Sequence, residues 1–415
     1  MLKLGKYSFG TGDRFAHQGE AQLKASILAH DAGIELTHVW NKSNREHKIV
    51  KSEPPSVRSE ADAAVKTLGW KGQYLVDADH INLTTLDGFV ESSDFFTLDV
   101  ADYIGMAVDP KEKSAYLEKY KKYIGALAIP GIEVPFTIDQ NFLSTVADKF
   151  LFAAIEAGKI YRRIAKLKRH EDFVAEVSMD EVSEPQTPAE LFFILGALAD
   201  VGIPVQTIAP KFTGRFNKGV DYVGDVSQFA KEFEEDILVI RYAIAEFNLP
   251  SNLKLSVHSG SDKFSIYSSI KQLMKKYDAG VHVKTAGTTW LEELIGLAEA
   301  GGEGLELSKA IYVKALGRFD ELTGPYATVI DIQIDKLPSV AEVNTWTGEK
   351  YANTLRHNQK HPDFNPHFRQ LLHCGYKVAA EFDKRYYDAL MKYKDVIARN
   401  VTENLFERHI KPIFI

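Results

Sequence analysis

Three histidines stand in short β-branched runs. His80 closes QYLVDADH (73–80), His258 closes LKLSVH ahead of SGSDKF (253–264), and His282 lies in VHVKTAG (281–287). A buried imidazole without a partner costs more than the Val or Leu it replaces, so a strand ending on one is expected to present it to something bound. Each has an ionisable neighbour: Asp79, the pair Asp262 and Lys263, and Lys284. Imidazoles from three strands can hold one divalent cation and leave positions open for substrate oxygens. The bland alternative for any one of them is a hydrogen-bonded core or surface histidine. His38, mid-strand in ELTHVW, is read that way. His17, His30, His357, His361 and His373 fit ordinary helix caps and loops.

Carboxylates and cations flank these histidines. Asp79 is either a general base beside a ligand or the group that orients His80. Asp180 and Glu181 offer a second carboxylate, although acids ahead of PQTPAELFF also suit a helix amino end. Lys211, Arg215 and Lys218 share the cationic loop KFTGRFNKG, which suits an anionic substrate group such as a carboxylate or is simply solvated. Asp13, Arg14, Ser259 and Lys284 complete the candidate substrate contacts, with Asp77 and Asp99 also at strand ends.

Such residues converge only if the strands are parallel and end together. Eight apolar runs precede residue 290: 6–10, 35–40, 73–79, 95–101, 173–180, 204–212, 253–258 and 281–285. Helical patterns separate them, several closing on Gly as a left-handed cap. Strand–helix alternation implies crossover connections, and eight strands match a (β/α)8 barrel with its site at the carboxyl ends. Two further runs, 132–139 and 327–335, leave a doubly wound open sheet as the alternative. That sheet is disfavoured because SFGTGDRF lacks the third Gly of a dinucleotide fingerprint. The reading is a catalytic barrel over 1–300 and a mainly helical, aromatic-rich extension over 301–415 packed on it.

The chain has 415 residues, 45% hydrophobic and 26% charged, with net charge −7, enough for a large core. No dense basic stripe favours nucleic acid. The single cysteine, Cys374, excludes an internal disulfide. No 18-residue apolar run and no secretory core occur, so a soluble cytoplasmic protein is expected. Self-association into a homo-oligomer stays open.

The motifs SFGTGDRF (8–15), DADH (77–80), VSMDE (177–181), GVDYVGD (219–225), SVHSGSDKF (256–264) and HVKTAGT (282–288) resemble the tagaturonate/fructuronate epimerase family of bacterial hexuronate catabolism. The amino-terminal extension such proteins can carry is absent, so a shorter member is expected. The resemblance implies a cytoplasmic, metal-dependent isomerase acting on a small sugar acid. It implies His80, His258 and His282 as ligands of one divalent cation (zinc, manganese, nickel and cobalt all suit), Asp79 as proton acceptor and Glu181 as donor. Because the two ketouronates differ at the carbon β to the ketone, a retro-aldol route is expected. The competing readings are a metal-dependent aldolase or ketose isomerase acting on sugar acids, and a non-catalytic sugar-acid binding protein.

Overall fold

The structure, a computed structural model, describes residues 2–180, 182–285 and 287–415. In chain order the strands are β1 (Tyr7–Gly12), β2 (Leu36–Ser43), β3 (Tyr74–Ile81), β4 (Phe95–Asp99), the short antiparallel pair β5 (Gly125–Leu127) and β6 (Phe136–Ile138), then β7 (Val174–Ser178), β8 (Thr207–Ala209), β9 (Lys254–Val257) and β10 (Val281–Thr285). All except β5 and β6 are parallel and form one closed barrel, β1 pairing with both β2 and β10. Closure excludes the open sheet, and each of the eight expected runs supplies one barrel strand. Of the two extra runs, 132–139 gives β6, outside the barrel. The other, 327–335, forms no strand and contributes to a single 3-10 turn, Ile334–Lys336, because a closed barrel leaves no edge to pair with.

The longer helices that follow barrel strands include Gly19–Asp31, Pro55–Leu68, Phe152–Lys168, Pro188–Asp200, Val226–Phe247, Phe264–Tyr277 and Thr288–Ala300. Among the described residues β3 and β4 are joined without a crossover helix, through the 3-10 turn Leu86–Gly88. The boundaries follow local chemistry. Pro55 opens its helix and Gly69, at φ +62°, ends it. Thr187 caps the next-but-one helix by accepting from the Glu190 amide, with the Glu190 carboxylate returning to Thr187.

Inside the barrel the strands alternate apolar floor and polar upper layers. Val39, Leu75, Phe95 and Val174 cluster with Leu4 at the bottom. Two residues further along each strand, about 6.6 Å higher, stand Asn41, Asp77, Thr97 and Glu176. From residue 302 onward the chain is helices and loops that pack back on the barrel. The Trp290 indole donates to Leu372 O at 2.7 Å and the Tyr386 hydroxyl to Glu293 at 2.8 Å. The Phe414 ring lies 5.4 Å from that of Tyr7. Among the described residues no helix is long and apolar enough to cross a membrane.

Candidate metal and acid–base site

The polar layer is organised by one lysine. The buried Lys284 ammonium lies 2.7 Å from Asp77, 2.9 Å from Asp79 and 3.0 Å from Glu176, and donates to Thr97 Oγ1 at 2.6 Å. Burial opposes its charge, but the carboxylates outweigh burial and hold Lys284 well above its usual value, so it stays an ammonium rather than a nucleophile. Burial likewise opposes ionisation of Asp79, and Lys284 with His80 overcomes it, leaving Asp79 below its usual range. Asp77 goes the other way. Burial and its acidic neighbours push it up to about 7.

Adjacent residues of a regular strand face opposite sides, yet Asp79 and His80 line the same cavity. The β3–β4 register shifts between Ala78 and Ile81, and His80 adopts φ +49°. This bulge turns both side chains inward. On the far wall His258, at the end of β9, places Nε2 2.7 Å from Glu176 Oε1 and Nδ1 3.2 Å from Asp180 Oδ1. Asp180 also accepts from Ser178 Oγ at 2.6 Å. The His80 and His258 rings stand 5.3 Å apart.

Ligand atoms of His80, Asp180 and His258 lie within 4.8 Å of one another, a spacing a metal ion can bridge. The donor set fits a divalent cation of the borderline transition series. A carboxylate only accepts, so His258 must donate from Nε2 to Glu176. Its Nδ1 then faces a second carboxylate, which requires either another proton or a cation there. His80 Nδ1 is buried with no hydrogen-bond partner among the described residues, and the Asp99 carboxylate lies 3.7 Å from it. Without a cation, burial works against charge on both rings, but the acids win. Asp79 leads in raising His80 to about 10, and Asp180 with Glu176 raises His258 to about 9.

The expected third imidazole is not in this group. His282 points into the barrel but lies two residues below Lys284. There its Nδ1 meets Ser8 Oγ at 2.9 Å and its ring packs 5.3 Å from Phe95. Burial pushes it down to about 3. Asp79, His80, His258, Ser259, Lys284 and Arg14 do line one cavity of about 240 Å³. Arg14 is held there by Glu46 at 3.0 Å, by His373 O at 3.1 Å and by the Tyr376 ring. Asp13 instead caps a turn, accepting from the amides of residues 15–18. Lys211 is not among the lining residues; its amide donates to Gln186 Oε1. Glu181 lies outside the described residues. The helix after β7 is capped by Thr187, which leaves Asp180 to His258.

Sequence reasoning overlooked Glu176, although a charged residue alternating with Ser178 and Asp180 inside the apolar run FVAEVSMD was the available signal. Tyr326 and His373 also line the cavity, brought there by the helical segment with no local signature.

A family model described as UxaE, tagaturonate epimerase, matches residues 1–413. A tagaturonate/fructuronate epimerase of Thermotoga maritima is 27% identical over 419 residues, covering 97% of this chain and 80% of that protein. Two crystal structures of fructuronate-tagaturonate epimerase UxaE from Cohnella laeviribosi, glycerol-complexed and native, are each 22% identical and cover 99% of this chain and 82% of their own. They superpose with TM-scores of 0.82 and 0.80, a likeness that speaks for the fold. With a barrel closed as expected and the family match running almost from end to end, the chain belongs to the tagaturonate epimerase family, whose members are carbohydrate epimerases of the isomerase class.

Proposed function

We propose that the protein interconverts D-tagaturonate and D-fructuronate by metal-assisted retro-aldol cleavage and re-addition. The observation that carries this is the convergence of His80, Asp180 and His258 beside the Asp79–Lys284 pair at the carboxyl end of the barrel. The two ketouronates differ at the carbon β to the ketone, whose C–H the carbonyl does not acidify. Inversion there is reached by breaking the bond between the α and β carbons. The β-hydroxyl loses its proton, that bond's electron pair stays with the ketone fragment, and a three-carbon aldehyde acid separates. The aldehyde turns, the bond re-forms on its other face, and the hydroxyl regains a proton, so nothing is consumed.

His80, His258 and Asp180 would hold the cation, with Asp180 in the place expected of His282. When bound, the cation supplies Lewis-acid stabilisation of the negative charge that develops on substrate oxygens. Asp79 is kept ionised by Lys284 and so is ready to accept the hydroxyl proton. Glu181, next in the chain to Asp180, is the proposed proton donor. Glu176 fixes the His258 ring through Nε2.

The test is epimerisation of fructuronate by purified protein before and after chelation. Tagaturonate should form, stop forming with chelator, and form again on adding a divalent ion. Turnover indifferent to chelation overturns the metal role, and net accumulation of three-carbon products selects the aldolase reading instead.

A further inference from the structure

Lys218 and Arg45 are cations of the cavity wall that the site chemistry leaves unused, and Arg45 lies against the Tyr326 ring, 5.3 Å from its centroid. The Lys218 Nζ lies 3.3 Å from Ser259 Oγ, and both residues line the cavity. Neighbouring cations are already matched, Arg14 with Glu46 and Lys284 with three carboxylates. Among the described residues no carboxylate forms an ion pair with Lys218, whose one side-chain partner is the Ser259 hydroxyl. An ammonium and a hydroxyl facing a cavity are complementary to a carboxylate.

The corner is built rigidly. Two buried cations spend their donors on the main chain around it. Lys263 donates to Asn217 O at 2.9 Å, Val220 O at 2.8 Å and Ser261 O at 2.9 Å. Arg369 donates to Gly219 O at 2.6 Å and to Asp262 at 2.9 Å. The Lys218 amide itself donates to Val329 O at 2.8 Å. The loop carrying Lys218 is thereby clamped to the loop carrying Ser259, which holds φ +48° directly after His258. Little ordering remains to be done when an anion arrives.

We propose that Lys218 and Ser259 form the subsite for the substrate's carboxylate, and that this subsite retains the three-carbon aldehyde acid while it turns between bond cleavage and bond formation. The inference rests on the epimerase reading above. After cleavage the carboxylate belongs to the aldehyde fragment, while the other fragment carries the former ketone. Holding the carboxylate lets the aldehyde carbon rotate about its bond to the neighbouring carbon and present its other face without leaving. No atom or electron is lost, because the same two fragments recombine.

The experiment compares wild type, Lys218→Ala and Lys218→Arg on fructuronate with a carbonyl trap present, and measures binding of D-glycerate as a carboxylate analogue of the aldehyde acid. Lys218→Ala should lower kcat/KM about 10- to 100-fold, the worth of one charge-assisted contact. Trapped aldehyde per epimerisation should rise about tenfold, D-glycerate binding should weaken in proportion, and Lys218→Arg should recover most of each, all at an unchanged melting temperature. Lys218→Ala within twofold of wild type in kcat/KM and in D-glycerate binding overturns the subsite, and lost turnover without extra trapped aldehyde overturns the retention role. A wild type that binds D-glycerate through Lys218 yet epimerises nothing would instead overturn the function proposed above.

Discussion

In the structure Asp180 rather than His282 stands with His80 and His258, and the reason is depth. Both residues belong to strands or strand ends that point inward, but one residue pair along a strand is about 6.6 Å, more than a metal–ligand bond can span. Substituting each separates the assignments. Asp180→Asn should strip the protein of its divalent ion, as should His80→Ala and His258→Ala, when metal content is measured by elemental analysis. His282→Asn should keep its metal and lose about 1–3 kcal/mol of stability, because it vacates packing against Phe95 and the Ser8 bond. Metal loss in His282→Asn with retention in Asp180→Asn would restore the original assignment. Asp79→Asn is a different experiment. Lys284 rather than a ligand ring is its nearest partner, so metal should stay while the epimerisation rate falls on the order of 10²-fold or more. Recovery of that rate by excess ion would make Asp79 an orienting group.

At the level of strands, what was legible was the sequence of largely apolar runs bounded by Gly, Asp and Ser, because strands covered on both faces are rich in apolar residues. The bulge in β3 was not, since it adds no distinctive residue and His80 takes its left-handed conformation without Gly to announce it. Burial of His38 was legible from its mid-strand place. The structure completes that reading by bonding its ring to Thr11 Oγ1 at 2.9 Å and Ser26 Oγ at 2.7 Å, which ties β2 to β1 and to the first helix. Burial depresses His38 to about 3. The unfolded chain therefore binds a proton near pH 6.5 that the folded one refuses. Stability from this group is intact above that pH and declines as pH falls toward 3, by at most about 1.4 kcal/mol per pH unit. Thermal melts between pH 7 and pH 4 should show the decline, and His38→Gln should lessen it, leaving the share carried by other buried imidazoles such as His282. An equal slope in that variant would assign acid sensitivity elsewhere.

Contacts across the whole molecule were the least legible, because nothing local marks a pairing between residues a hundred positions apart. Asp262 and Arg369 meet at 2.9 Å with both side chains buried, and His357 Nδ1 stands 3.2 Å from the same carboxyl group. The helical segment was expected to pack on the barrel. That it also places Tyr326 and His373 at the cavity could not be read from an amphipathic pattern. Arg369→Met removes one half of a buried pair and leaves Asp262 uncompensated, so a loss of about 3–5 kcal/mol is expected by denaturant unfolding. A change below 1 kcal/mol would mean that the His357 imidazole suffices to hold Asp262.

The Arg14 side chain, just beyond the first barrel strand, is fixed by the carbonyl of His373. During synthesis all eight strands leave the ribosome before that carbonyl does. A nascent chain halted after β10 therefore carries its histidines and acids in a mouth whose wall is still missing, with Arg14 unheld on one side. Closure of that wall is thus coupled to synthesis of the following segment, which supplies the carbonyl that holds Arg14.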